Sequence, residues 1–313
     1  MTTTPPPDAG LVRRVLGFLG RVGSESEPTP ICPADRQVGR PYTVGEPILP
    51  APEDDALSVS SWTTQPRVSA DGGVLGPLTV RAASTVGRRH ARLGTSREDA
   101  YAVAPAAGGV VVAVADGVGS DEARYSAVGA QLAVVEGCRI ATAYLDNGRA
   151  IDPGDLCRQI SATMMNGAGM FVPGEYDHRS LATTLTVAWV STAGAYGGFR
   201  VGDGELFELT EAGLHPTGPG GGGAFTETEA LPGSWSVAEE FSGQLHPSSA
   251  LVVVTDGLSL PMRSPDVAAH LVRSWRRVPT VVEFLHDLSF DRKGEADDRT
   301  AVCVWFRPTM GDR

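Results

Sequence analysis

The chain has 313 residues, of which 42% are hydrophobic, so it is long enough to bury a large core as one large domain or two small ones. Its net charge of −11 argues against nucleic acid as the main partner, because phosphate backbones are bound by dense surfaces of lysine and arginine. Its 4 cysteines are far apart and form no CxxC pair, which argues against a zinc cluster or a disulfide framework and favours a reduced cytoplasm.

Residues 1–75 are expected to form a flexible tail, because proline, serine, threonine and aspartate dominate there and leave too little apolar surface for a core. Neither a leader peptide nor a transmembrane segment is expected, since no charged start precedes an apolar stretch and nowhere do about 18 apolar residues run uninterrupted. Within the tail, residues 11–22 carry apolar side chains at helical spacing. This segment forms either a docking or membrane-surface helix or, as we favour for so short a stretch, one that folds onto its own domain or frays.

A domain is expected at residues 76–308, where short β-rich runs are interrupted by helical patterns. Apolar residues at helical spacing predict helices at 122–144, 153–165 and 265–275. Because helices do not follow every strand, the pattern predicts a layered α+β domain and not a doubly wound parallel sheet. The predicted strands are, in chain order, LTVRAAS, AYAVAP, GVVVAVADG, ATTLTVAWV, AYGGFRVGDG, LFELT, ALVVVTDGL and TAVCVWF.

Aspartates stand at the edges of several predicted strands. Two apolar runs end in Asp116-Gly117 and Asp256-Gly257, where the glycine permits a tight turn and the close approach of a ligand. One Asp-Gly pair alone is typical of a turn. Five acids at strand edges together indicate one or two sites for Mg²⁺ or Mn²⁺, hard cations that prefer oxygen ligands. The other three acids are Asp99, Asp203 and Asp297.

Six segments in order resemble the metal-dependent protein phosphatase 2C family, in a divergent bacterial branch. They are HARLGTSREDAYAV, VVVAVADGVGS, LATTLTV, FRVGDGELFEL, LVVVTDGLS and DDRTAVCVWF, and the likeness covers residues 78–306. The resemblance implies a four-layer α-β-β-α sandwich of two antiparallel sheets flanked by helices, with a two-metal centre in a cleft at one end. It also implies hydrolysis of phosphoserine or phosphothreonine in proteins by a metal-activated water.

The same resemblance implies roles for individual residues. Asp116 would bridge two Mg²⁺ or Mn²⁺ ions, and the Gly117 carbonyl would contact one of them. The remaining matches are Asp256 and Asp297 for the shell of the other ion, Asp203 for a third, weaker ion, and Glu98 with Asp99 for an acidic pair that orients metal-bound waters.

The phosphate-binding arginine of many relatives is missing. Gly94 stands at its position. Arg92 and Arg97 are the nearby candidates, because a guanidinium matches the geometry of phosphate. For each of these two arginines, a plain surface position is nevertheless the favoured interpretation.

Further positions also depart from the family. Val118 replaces a histidine that is proposed to protonate the leaving group, so water would have to serve. Asp298 stands where asparagine is frequent. His90, which together with Gly94 and Asp99 is similar to a divergent branch of the family, is interpreted as a structural histidine. None of these changes removes a principal metal ligand.

Three functions remain open. The favoured one is an active phosphatase whose partner is a phosphorylated protein, either a serine/threonine kinase or its target. The second is a catalytically silent module that binds phosphorylated partners. The missing arginine at Gly94 supports it, whereas the retention of Asp116, Asp256 and Asp297 opposes it, because such a module has little need of mutually repelling carboxylates. The third is a two-metal phosphoesterase that acts on a small molecule or nucleotide.

Overall fold

Residues 42–46, 66–218 and 229–308 are described by the structure, a computed structural model, and all of them belong to one unit, Val38–Arg313. The helix that the sequence predicts at residues 11–22 lies outside the described residues. Among the helices in the described ranges, none combines the length and the apolarity that a membrane crossing requires.

The described strands form two sheets, and every strand pairing is antiparallel. The first sheet has 6 strands, in the order β1 (Val68–Leu75), β2 (Leu78–Thr85), β11 (Arg299–Phe306), β10 (Ala250–Val254), β7 (Glu205–Thr210) and β8 (Gly213–Pro216). The second sheet has 5 strands, in the order β3 (Ala100–Ala106), β4 (Gly109–Ala115), β5 (Leu185–Ser191), β6 (Ala195–Val201) and β9 (Glu239–Gln244).

Helices cover the outer faces of both sheets. A short helix, α1 (Arg88–Leu93), follows β2, and α2 (Ser126–Asp146) and α3 (Pro153–Gly167) pack on the second sheet. The first sheet is covered by α4 (Asp256–Met262), α5 (Pro265–Trp275) and α6 (Val281–Leu288). A further apolar cluster fills the space between the sheets. The predicted α+β fold, a four-layer sandwich of two antiparallel sheets flanked by helices, is confirmed.

Strand β4 explains why its sequence is apolar without alternation. Val110 and Val112 face the core between the sheets, whereas Val111 and Ala113 face the cluster under α2 and α3. Side chains alternate between the two faces of a strand, so a continuous apolar run is expected where both faces are covered. The strand is therefore anchored on both sides where it leads into Asp116.

The folded domain begins before residue 76, where the sequence places the boundary. Strand β1 lies within the segment predicted to be a flexible tail, and it pairs along its length with β2. The composition does not predict this strand, because a mostly exposed edge strand needs few apolar residues. Residues 42–46 also belong to the domain, since Val44 is buried against the first sheet's helices. The rest of residues 1–75 lies outside the described ranges, apart from 66 and 67.

Candidate active site

Strand β4 brings Asp116 to one end of the sandwich, and two threonines fix the chain there. The amide of Asp116 donates to Thr184 Oγ1 at 3.0 Å, and Thr183 Oγ1 donates to the Asp116 carbonyl at 2.8 Å. The amide of Gly117 donates to the carbonyl of Glu98. A Cβ on Gly117 would lie 3.1 Å from that of Glu98 and closer still to the start of α2. Only glycine therefore fits behind Asp116.

Four other aspartates converge on Asp116 from different elements. Asp99 immediately precedes β3, and Asp256 begins α4, with one residue between it and β10. The Asp116 carboxyl is within hydrogen-bonding reach of both. Asp297, just before β11, and Asp203, between β6 and β7, lie close enough to Asp256 for their charges to interact. The structure thus brings together all five acids that the sequence singles out.

Burial and mutual repulsion raise the pKa values of these carboxyl groups. Asp99 is only 1% exposed, and burial, followed by the charge of Asp298, raises its pKa to about 8. For Asp116, burial and then the charges of Asp99 and Asp256 raise the pKa well above the ordinary value. Partial burial is also the main reason for the raised pKa values of the three others, Asp203, Asp256 and Asp297, although Asp203 and Asp297 are themselves exposed to solvent.

The basic side chains near this cluster act on it through their charge without forming ion pairs with it in the described residues. Within the described ranges, none of the five carboxyls forms an ion pair with lysine, arginine or histidine. Oxygen donors that repel one another are the set that a hard divalent cation prefers. No three acidic, histidine or cysteine side chains of the described residues are yet placed to hold one ion together. The donor chemistry therefore fits a divalent cation, and binding would require side chains to move.

Asp298, to which the sequence assigned no role, links β11, α1 and Glu98. Its buried carboxylate accepts from the amides of Gly87 and Glu98, both at 2.6 Å, and from Nδ1 of His90 at 3.0 Å. The hydrogen bond to Asp298 raises the pKa of His90, against the effect of burial. A signal was present in the sequence, because Asp298 stands where the family resemblance leads us to expect asparagine.

The two arginines predicted to bind phosphate differ in burial. Arg97 is 3% exposed, and its guanidinium donates to Ser69 Oγ of β1 at 2.8 Å. The surface position favoured for Arg97 is therefore wrong. Its charge acts on Asp99 and Asp298 from inside the domain, and its phosphate-binding role stays a prediction. Arg92 is exposed near the end of α1, and no contact joins it to the acidic cluster in the described residues.

Arg89, to which the sequence assigns no role, lies beside the cluster. Its Nη1 is 3.7 Å from the point that a Cβ on Gly119 would occupy, and Glu98 Oε2 is 4.0 Å from that point. Its charge acts on Asp297, where it opposes the rise in pKa that burial causes. Within the described part of the chain, its guanidinium makes no hydrogen bond or ion pair. The available signal was the pair Arg88-Arg89 just ahead of Gly94.

Comparison with known proteins indicates a family and a fold. The pattern of the family described as "Protein phosphatase 2C" matches residues 86–289. Among solved structures, the S. agalactiae serine/threonine phosphatase is similar with a TM-score of 0.54 at 14% identity, covering 74% of this chain and 100% of that one. The photosystem II phosphatase PBCP gives 0.53 at 19% identity, with 74% and 100% covered. A bacterial serine phosphatase gives 0.52 at 14% identity, with 74% and 98% covered. No curated protein matches the sequence.

Proposed function

The chain belongs to the protein phosphatase 2C family, and we propose that it hydrolyses phosphoserine or phosphothreonine in proteins with the help of Mg²⁺ or Mn²⁺. Family and fold together support a phosphatase. One observation carries the finer proposal. Five aspartates meet at one end of the sandwich around Asp116, and none of them is paired with a basic side chain in the described ranges.

Asp116, Asp256 and Asp297, with the Gly117 carbonyl, would hold two divalent ions, and Asp203 would hold a third more weakly. Such ions, when bound, would neutralise the carboxylates, make water a nucleophile near neutral pH and screen the charge of the phosphoryl group. Asp99 supports this set from inside the domain, where it accepts a hydrogen bond of 2.8 Å from Thr255. These assignments follow the chemistry of the donors and their convergence.

Arg89 and Glu98 flank the place where substrate would bind. A guanidinium can donate to two phosphate oxygens at once, and that of Arg89 is not engaged by the acids beside it in the described structure. Arg89 would therefore grip the phosphate in place of the arginine that Gly94 replaces. Glu98 is fixed through its amide by Asp298, and it would orient the attacking water. Val118 offers no proton, so the leaving group would take its proton from water.

The proposed substrate is a phosphorylated protein, either a serine/threonine kinase or its target. The cytoplasmic location that the sequence favours is supported by three free, buried cysteines, Cys138, Cys157 and Cys303. The substrate and the location both remain predictions. The substrate prediction is tested with phosphoproteins prepared by known kinases.

The experiment is hydrolysis of p-nitrophenyl phosphate with Mn²⁺, with and without EDTA, by the wild type and by Asp116→Ala. We expect hydrolysis that depends on Mn²⁺ and that falls at least about a hundredfold in the variant, because Asp116 lies at the centre of the cluster. Phosphopeptides and nucleotides are then compared as substrates. Faster turnover of nucleotides than of phosphopeptides would favour a small-molecule phosphoesterase.

One observation favours a second function, a silent module that binds phosphorylated partners without hydrolysis. No three side chains of the described residues are preset to hold a metal ion together. The assay above separates the two functions, since a silent module binds a phosphopeptide and releases no phosphate from it. Measurable Mn²⁺-dependent turnover by the wild type would exclude the module.

A further inference from the structure

Residues 42–46, here called the strap, lie along the loop that carries Asp297. This loop, residues 289–298, connects α6 to β11. Thr43 of the strap is paired in parallel with Asp291. Three backbone hydrogen bonds of 2.9 to 3.1 Å join strap and loop, from the Val44 amide to the Asp291 carbonyl, from the Asp291 amide to the Tyr42 carbonyl and from the Lys293 amide to the Glu46 carbonyl.

Side chains hold the strap on the helices behind the first sheet. Val44 is 9% exposed and joins the apolar cluster formed with α5 and α6. The Tyr42 ring stacks on His286 with 4.6 Å between ring centroids, and its hydroxyl donates to the His286 carbonyl at 2.9 Å. Arg292 reaches back from the loop and donates to the Val44 carbonyl at 3.4 Å and to Asp266 at 2.6 Å. The strap is therefore seated by packing as well as by its backbone.

The opposite side of the loop is held by α1. Asp291 forms an ion pair of 2.9 Å with Arg88, and the Ala296 carbonyl accepts from the amide of Arg89 at 3.0 Å. Gly87 packs so closely that a Cβ there would lie 2.2 Å from the Asp297 carbonyl carbon. Asp297 thus occupies a loop held between the strap and α1. Without the strap, the loop amides that now donate to it would lose their partners.

We propose that the strap is a positioning element of the metal centre, which keeps the loop, and with it Asp297 and α1, in place. The proposal rests on the proposed role of Asp297 as a metal ligand. Release of the strap frees one side of the loop and leaves both sheets paired as before. It therefore weakens metal binding far more than it weakens the fold.

The test compares two substitutions in the full chain. Val44→Asp puts a carboxylate into the seat of the strap, and Leu214→Asp puts one against the same apolar cluster from the distant edge strand β8. Mn²⁺ affinity is measured by calorimetry, and amide hydrogen exchange is followed at residues 291–297. We expect Val44→Asp to bind Mn²⁺ about tenfold more weakly and to exchange faster in the loop. Leu214→Asp is expected to keep the wild-type values of both quantities.

A second pair of substitutions, each milder than Val44→Asp, keeps the test valid if Val44→Asp unfolds the protein. Gly45 and Gly148 both have positive φ, at +79° and +62°. A Cβ on Gly45 would meet Arg292 and Asp266, whereas a Cβ on Gly148 would meet nothing within 4 Å. Gly45→Ala should therefore loosen the loop and weaken Mn²⁺ binding, and Gly148→Ala should do neither.

The proposal would be overturned if the strap variants fold, bind Mn²⁺ with the wild-type affinity and show wild-type hydrogen exchange in the loop. If the wild type binds no Mn²⁺, the metal-dependent function is wrong, and loop exchange alone then decides whether the strap positions the loop. Equal exchange in Gly45→Ala and Gly148→Ala would count against the strap in that case.

Discussion

Arg89 and Arg92 lie on the same short helix and differ in their surroundings. Arg89 lies beside Gly119 and Glu98 at the acidic cluster, whereas Arg92 is exposed without a contact to the cluster in the described residues. Substitution of Arg89 by alanine removes a donor of charge-assisted hydrogen bonds to phosphate, each worth about 2 kcal/mol. We therefore expect Arg89→Ala to lower kcat/KM for p-nitrophenyl phosphate by about thirtyfold, mainly through KM.

Arg92→Ala is the matched control for this prediction and should leave both constants unchanged. Inhibition by inorganic phosphate gives an independent measure, because it reports on the phosphate site without a chemical step. Phosphate should inhibit Arg89→Ala more weakly than the wild type. Equal inhibition constants for the two proteins would remove Arg89 from the phosphate site.

Roles that depend on contacts between residues far apart in the sequence could not be predicted from the sequence. The acids at strand edges could be found, because an Asp-Gly pair after an apolar run is a local pattern. The contact of Asp298 with Glu98 spans 200 positions along the chain, and no local pattern connects the two. The burial of Arg97 could not be predicted for a related reason, since proximity in sequence to Glu98 does not reveal that its guanidinium points inward to Ser69.

At the scale of elements, Asp298 joins β11 to the start of α1 and to the segment before β3. Its substitution by asparagine keeps the size of the side chain and removes the charge that faces His90. We expect Asp298→Asn to lower the pKa of His90 toward its ordinary value, because the hydrogen bond to Asp298 is the main cause of its rise. Titration of the His90 ring signals by NMR measures this directly.

The stability of Asp298→Asn should depend on pH in a predictable direction. A histidine whose folded pKa is raised contributes stability that is fully present below its unfolded pKa and is lost as pH rises through the folded pKa. The loss relative to the wild type should therefore be larger at pH 6 than at pH 8, by about 1 kcal/mol. Urea unfolding at the two pH values checks this, and an equal loss at both would show that the charge of Asp298 does not act on His90.

The elements themselves were predictable where their patterns are long. Helices predicted at 153–165 and 265–275 correspond to α3 and α5, which carry proline in the first turn. Helices α1, α4 and α6 are not predicted by the sequence, because they have only 6 to 8 residues and so show too few turns for a periodicity. Helix α4 is the instructive case, because its first residues are Asp256-Gly257, a pair that by itself indicates a turn.

At the scale of the whole molecule, the candidate site exists only because two sheets stack. Asp116 follows β4 of the second sheet, whereas Asp256 follows β10 of the first. The apolar cluster between the sheets sets how the ends of these strands align. The sequence shows that both strands are buried on both faces but not which ends meet. Their convergence could be expected from the family resemblance, and the contact of residues 42–46 with the loop before β11 could not.

The acidic cluster should also make the metal-free protein sensitive to pH. Burial raises the folded pKa of Asp99 to about 8 and that of Asp116 well above its ordinary value. In the unfolded chain these groups titrate near pH 4, about the value of a free aspartate. The folded state therefore binds more protons between these limits, so stability falls as pH rises through that window. The penalty is absent below the unfolded pKa and complete above the folded pKa.

We expect the metal-free wild type to lose about 1 to 3 kcal/mol of unfolding free energy between pH 6 and pH 8. Asp116→Asn should lose less, because it removes one of the repelling carboxyls and lowers the cost of ionising Asp99. His90 contributes to the pH dependence with the same sign, but it is present in both proteins, so their difference isolates the carboxyl groups. Urea unfolding in EDTA at both pH values measures this difference. Saturating Mn²⁺ should restore stability at pH 8 in the wild type more than in Asp116→Asn. If the unfolding free energies of the two metal-free proteins change equally with pH, the carboxyls do not repel one another as the structure indicates.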